Sequence, residues 1–150
     1  MKRLLVPALV VLAIAVAAAA ASRWWRPAPP AWTTDSPEAL AALEAGHAAA
    51  QKLYTADAAA HFARALEHDP DFVIAKLRVV QLGSAASQDP QRVAALLEEI
   101  RAADLTRLTR REDLLVRYFL ARIDRDPERA TEVLDAYLAE HPDDPYAIEL

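Results

Sequence analysis

Cysteine is absent from this chain of 150 residues, and glycine occurs only at Gly46 and Gly83. The lack of cysteine excludes a disulfide scaffold and any metal site built from thiolate ligands. With so little glycine, the chain also has no glycine-rich loop for binding phosphates and no glycine-flanked nucleophile of the hydrolase type. These absences remove several classes of enzyme at the outset.

Alanine, leucine, glutamate and arginine are abundant, and all four favour helix. The ten prolines stand mainly between stretches of periodic hydrophobicity rather than inside them. The composition therefore predicts an all-α protein. A length of 150 residues leaves room for one domain and a terminal segment.

The net charge is −5, and the charged residues are distributed unevenly along the chain. Residues 1–32 contain four basic residues and no acidic one, whereas the remainder contains thirteen basic and twenty-two acidic residues. Because phosphate binding needs a positive surface, the acidic body argues against nucleic acid as a partner.

The N-terminal segment is hydrophobic. Residues 4–21 contain no polar side chain and follow Lys2 and Arg3, and eighteen residues are close to the minimum for a membrane-spanning helix. Two tryptophans flanked by arginines come next, as is typical of a membrane–water interface: Arg23, Trp24, Trp25 and Arg26. We expect segment 1–26 to be a hydrophobic helix that serves as a signal anchor.

A cleaved signal peptide is the alternative, because the alanine run from Ala17 supplies the small residues that a signal peptidase needs. The anchor predicts a single-pass protein of the bacterial inner membrane with its body in the periplasm. Cleavage predicts a secreted or periplasmic protein. The proline-rich residues 27–35 predict an extended spacer that holds the body away from the membrane.

Six helices joined by short turns are predicted within residues 36–150, at about 37–52, 56–68, 72–82, 90–103, 110–123 and 127–140. Capping signals mark most of the starts: Ser36-Pro37, Asp71, Asp89-Pro90, Thr109 with Glu112, and Asp126-Pro127. A further start at Asp144-Pro145 leads only to Leu150. We expect this stub to belong either to a longer array or to a frayed last pair that self-associates.

The second helix of each predicted pair repeats one spacing of small, large and small residues. Residues 58–72, AAAHFARALEHDPDF, show it most clearly, and the pattern returns after 35 and then 37 residues. The three sets are Ala58, Phe62 and Ala65; Val93, Leu97 and Ile100; and Ala130, Leu134 and Tyr137. Helix pairs that recur at a nearly fixed period predict a solenoid.

This body resembles tetratricopeptide repeats (TPR), which have a unit of about 34 residues. With Ala39 as the first position, the first unit matches the family pattern at Gly46, Ala58, Phe62, Ala65 and Pro70. The last unit matches at Ala130, Leu134 and Pro142, with Tyr137 where a small residue belongs. The middle unit lacks the proline and has Val93 where alanine is expected.

The resemblance covers residues 36–150, as units at about 37–70, 71–105 and 109–142 with a stub at 144–150. It implies a TPR-like α-solenoid of three antiparallel helix pairs. Extra residues within 105–110 lengthen the loop before the third pair. We expect the basic cluster of this lengthened loop, Arg107, Arg110 and Arg111, to be solvated. The alternative is that it meets anionic lipid headgroups or an acidic partner.

No candidate chemistry emerges from the titratable residues. The four histidines do not form a metal set, since His61 and His68 lie two turns apart with no third ligand between them. We expect solvated histidines at these two positions and at His47 and His141, and solvated or capping acids at Glu98-Glu99 and Asp143-Asp144. We therefore expect no enzymatic activity, no cofactor, no metal and no small-molecule substrate.

Peptide binding is what the resemblance implies, because the first helices of TPR pairs line a concave groove. The matching positions are Leu43, His47, Gln51, Arg78, Leu82, Phe119 and Arg122. Leu43 and His47 replace the lysine and asparagine of the family's carboxylate clamp, so that specificity is not expected. The alternative is that the apolar members simply pack between helices.

Three functions agree with these observations. The first is a membrane-tethered, non-catalytic scaffold or adaptor that binds another protein or peptide in the periplasm. The second is the sensor or docking half of a membrane regulatory or signalling protein. The third is an accessory TPR subunit of an envelope biogenesis complex.

Overall fold

The computed structural model describes residues 31–83 and 89–148. These residues form six helices and one final short turn of helix: α1 (Pro37–Gln51), α2 (Thr55–His68), α3 (Val73–Leu82), α4 (Pro90–Ala102), α5 (Arg110–Ile123), α6 (Pro127–Glu140) and α7 (Pro145–Ile148). A short 3₁₀ turn, Leu105–Arg107, precedes α5. No strand occurs in the described residues, so the all-α prediction is confirmed.

The predicted hydrophobic helix and the interfacial residues 23–26 lie outside the described residues. Among the helices that the structure does describe, none is both long and apolar enough to cross a membrane.

Four of the predicted caps are present at helix starts. The side chains of Ser36, Asp89 and Asp126 accept hydrogen bonds from backbone N–H groups of the first turns of α1, α4 and α6. Thr109 and Glu112 form a complete capping box on α5. Each cap of this kind stabilises a helix by about 1 kcal/mol.

The prediction for Asp71 is wrong. Phe72 occupies the N-cap position of α3 and makes no side-chain capping bond. The Asp71 backbone N–H instead donates to Asp69 Oδ1 at 3.1 Å. Asp69 therefore organises the turn between α2 and α3, and α3 begins without a polar cap.

Two helices end in the left-handed conformation that usually belongs to glycine. Leu53 after α1 has φ 62° and Arg125 after α5 has φ 59°. At the end of α1, Leu53 N donates to Ala50 O at 2.9 Å and Tyr54 N donates to Ala49 O at 3.0 Å, which is the Schellman pattern. Leu53 is 86% exposed, so its side chain gains almost no burial in return for the backbone strain.

The first helix pair packs most closely, around Phe62. Phe62 is 1% exposed and Ala58 and Ala65 are fully buried, as their spacing predicts. A Cβ atom on Gly46 would lie 2.9 Å or less from three carbons of the Phe62 ring, so the ring needs a residue without a side chain at this point of α1.

Helices that are consecutive in the chain pack within each predicted pair. α1 contacts α2, α3 contacts α4, and α5 contacts α6, while α3 also contacts α2 and α5. In the later pairs Ile100 and Ala130 are buried, whereas four other predicted packing residues are half-buried: Val93, Leu97, Leu134 and Tyr137. Pro70 and Pro142 follow the ends of α2 and α6, but both are exposed, so neither is a buried packing residue.

Candidate peptide-binding face

The first helices of the pairs, α1, α3 and α5, carry every residue that the resemblance assigns to a groove. Gln51 and Arg122 are exposed, and His47, Arg78 and Leu82 are half-buried. Arg78 Nε on α3 donates to His47 Nε2 on α1 at 3.1 Å, which joins the first two of these helices.

Two of the apolar residues that the resemblance assigns to the groove are buried. Leu43 is fully buried and Phe119 is 8% exposed, and both belong to one hydrophobic cluster. Leu82 packs against the same cluster. Leu43 and Phe119 therefore pack between the helices, and their side chains offer a partner little or no surface.

His47 is not the solvated histidine that we expected. Its ring makes an edge contact with Phe62, with 5.5 Å between centroids. Burial, with the positive charge of Arg78 as a second cause, lowers the pKa of His47 to about 4. The ring is therefore neutral near pH 7, and because Nε2 accepts the hydrogen bond from Arg78, the proton belongs on Nδ1.

Arginines on this face are held by neighbours on their own helices. Arg78 Nη1 donates to Gln81 Oε1 at 2.8 Å on α3. On α5, Arg122 Nη1 donates to Tyr118 Oη at 3.1 Å, and its guanidinium lies 5.8 Å from the centre of the Tyr118 ring. The face thus combines positive charge with aromatic surface, although the body as a whole is acidic.

Residues 32–34, which we call the strap, lie against this face. Trp32 is 6% exposed and belongs to the same hydrophobic cluster as Leu43 and Phe119. Its ring lies 6.0 Å from the His47 ring and 5.9 Å from the Arg111 guanidinium, between centres. These residues were predicted to belong to an extended spacer, but the structure packs them onto the helices.

Polar contacts hold the rest of the strap. Thr33 N donates to Glu112 Oε1 at 2.8 Å, and the Thr33 hydroxyl donates to Glu112 Oε2. Thr34 Oγ1 donates to Asp69 Oδ2 at 2.6 Å. The strap therefore bridges α5, in the third pair, and the turn after α2, in the first.

Glu112 combines two roles. It is fully buried, and besides the strap it accepts a hydrogen bond from Thr109 N at 2.9 Å as part of the capping box. Both carboxylate oxygens of Glu112 therefore accept hydrogen bonds in the first turn of α5. The spacing from Thr109 to Glu112 predicted the cap. The contact with Thr33, 79 residues away in sequence, carries no local signal.

The expectation of solvated charges is also wrong at Arg111 and Asp144. Arg111 Nη2 lies 2.9 Å from Asp144 Oδ2, and the Asp144 side chain is 8% exposed. Tyr137 Oη donates to the same oxygen at 2.7 Å. Burial and then Asp144 raise the pKa of Tyr137 to about 12, so the phenol stays protonated and ties α6 to the turn before α7.

A cleft of about 840 Å³ lies between the strap, the turn after α2 and the end of α4. Two of its charged groups form an ion pair, with Lys76 Nζ 2.7 Å from Glu99 Oε2, and Asp104 accepts a hydrogen bond from Thr106. In residues 31–83 and 89–148, no three histidine or acidic side chains are grouped as a metal site would require.

Comparison with known proteins adds no relative: no family model, no curated protein and no solved structure matches the chain. The resemblance to TPR remains a prediction from the residues.

Proposed function

We propose that this chain is a non-catalytic protein–protein interaction scaffold whose three helix pairs stack as a TPR-like solenoid. One observation carries the proposal: α3 contacts α1 through the Arg78–His47 hydrogen bond and also contacts α5. α3 thus lies next to α1 at this hydrogen bond and contacts α5, and this supports a continuous binding face along the first helices.

The partner that suits this face is an extended or amphipathic peptide of another protein. Exposed Gln51 and Arg122 supply polar contacts, and Tyr118 supplies aromatic surface beside Arg122. Leu43 and Phe119 do not contact the peptide, because both are buried; they hold the helices of the face in position.

We further propose that residues 4–21 tether the scaffold to the bacterial inner membrane and that the body faces the periplasm. The support is the sequence: an apolar run, a basic start, and the interfacial tryptophans and arginines.

Affinity capture from detergent-solubilised membranes tests the scaffold. The test variant combines Gln51→Ala with Arg122→Ala, two exposed positions on α1 and α5. The matched control combines Gln91→Ala with Glu132→Ala, two exposed positions on α4 and α6. We expect a co-purifying protein whose yield falls with the test variant and not with the control. Equal yield from both variants would exclude this face as the binding site.

A further inference from the structure

The strap has the contacts of a bound peptide. Trp32 buries its indole between His47 and Arg111, while Thr33 presents both a backbone N–H and a hydroxyl to one carboxylate. Neither residue belongs to a helix. Peptides that bind in an extended form use main-chain hydrogen bonds together with side chains that enter pockets, and the strap combines both.

The seat of the strap, which we define as His47, Asp69, Arg111 and Glu112, is built from three separate parts of the chain. Arg111 is held in place by Asp144, and His47 by Arg78 and the Phe62 ring. These supports do not involve the strap, so they can orient the seat when the strap is absent.

Release of the strap would leave the helix caps in place. Ser36 Oγ accepts from Ala39 N at 3.1 Å, and this capping bond of α1 does not involve residues 32–34, although Ser36 N also donates to Thr34 Oγ1 at 3.2 Å. Thr109 and Glu112 cap α5 through their own reciprocal bonds. Glu112 would then lose two of its donors and be ready to accept the same pair from another segment.

We propose that this seat is a peptide-binding site for an extended segment in which an aromatic residue precedes a hydroxyl-bearing residue, and that the strap occupies it in cis until such a segment displaces it. The inference rests on the proposed function, since it names the chemistry of the peptide that the scaffold binds. The covalent link gives the strap a high effective concentration, so a partner must compete with it.

A synthetic fluorescent peptide with the sequence of residues 31–36, AWTTDS, provides the test by fluorescence anisotropy with the full-length protein in detergent micelles. Trp32→Ala vacates the aromatic part of the seat and should bind the peptide at least about tenfold more tightly than the unmodified protein. Thr33→Val removes one hydrogen bond but keeps Trp32, and should strengthen binding about fivefold. A peptide with alanine in place of its tryptophan should not compete.

Far-UV circular dichroism establishes that each variant is folded. If both variants fold and bind the peptide no more tightly than the unmodified protein does, the inference is wrong. If Trp32→Ala does not fold, Thr33→Val alone decides by the same criterion. The yield of captured protein in the Gln51 and Arg122 variant is a separate readout, because neither residue forms a hydrogen bond, ion pair or ring contact with the strap in the part of the chain that the structure describes. If a partner is captured but the strap variants bind the peptide no more tightly, the inference about the strap is refuted and the proposal of a binding scaffold is not.

Discussion

Replacing Gly46 with alanine tests the packing of the first helix pair. Alanine is favoured over glycine in a helix interior by about 1 kcal/mol, so an unobstructed site would gain stability. Here the new Cβ would lie 2.9 Å or less from three Phe62 ring carbons. Phe62 is 1% exposed and also contacts the His47 ring, so it has little room to retreat.

Overpacking a buried site costs about 1–3 kcal/mol. Subtracting the propensity gain of about 1 kcal/mol leaves a net loss of up to about 2 kcal/mol, so we expect Gly46→Ala to lower the free energy of unfolding. Each 1 kcal/mol of loss lowers Tm by about 4 °C in a helical body of this size, so Tm should fall by up to about 8 °C. Thermal melting of the full-length protein in detergent, followed by far-UV circular dichroism, measures it.

A double-mutant cycle with Phe62→Leu isolates the clash. Phe62→Leu alone removes packing and destabilises, but the added alanine should then cost less, so the two changes are not additive. Ala41→Gly at an exposed position of α1 is the control for propensity and should cost about 1 kcal/mol. If Gly46→Ala raises Tm instead, the close approach of α1 to Phe62 is wrong.

Three further predictions use the same melting assay. Leu53→Gly should stabilise the protein by about 1 kcal/mol, because glycine adopts a positive φ without strain; a loss of stability would contradict the left-handed turn. Glu112→Ala should cost about 2–4 kcal/mol, since it removes a cap and leaves the strap donors unpaired, whereas exposed Glu98→Ala should change stability by less than about 0.5 kcal/mol. The pKa of His47 in the folded protein is about 4, below the ordinary histidine value of 6.5. Only the unfolded state gains the proton between these values, so stability should fall as pH drops from 6.5 towards 4. This fall should shrink in His47→Gln, and an NMR titration of His47 near 6.5 would refute the reasoning.

Local sequence signals predicted most of the helix boundaries. Ser36-Pro37, Asp89-Pro90 and the Thr109–Glu112 pair each act within four residues, so their effect can be read without knowing the fold. The small, aromatic and small face around Phe62 likewise marks one side of a single helix, and the structure buries it. The left-handed Leu53 and Arg125 escaped prediction because glycine, the usual signal, is absent there.

The strap could not be predicted because its contacts join residues far apart in sequence. The proline-rich composition before Trp32 indicates an extended segment, and nothing local shows that residues 32–34 pack onto α1 and α5. The same reason applies to His47 and Asp144. A polar residue at either position would be expected to face solvent. His47 is instead contacted by Arg78, and Asp144 by Arg111 and Tyr137, all from other elements of the fold.

The central claim is that the first helices α1, α3 and α5 form the face that binds a partner, and site-specific photo-crosslinking in cells tests it most directly. A photoreactive amino acid at Gln51 on α1 is compared with one at Gln91 on α4, both exposed positions. We predict a discrete crosslinked partner from position 51 and none from position 91. A partner crosslinked from position 91 but not from position 51 would contradict the account.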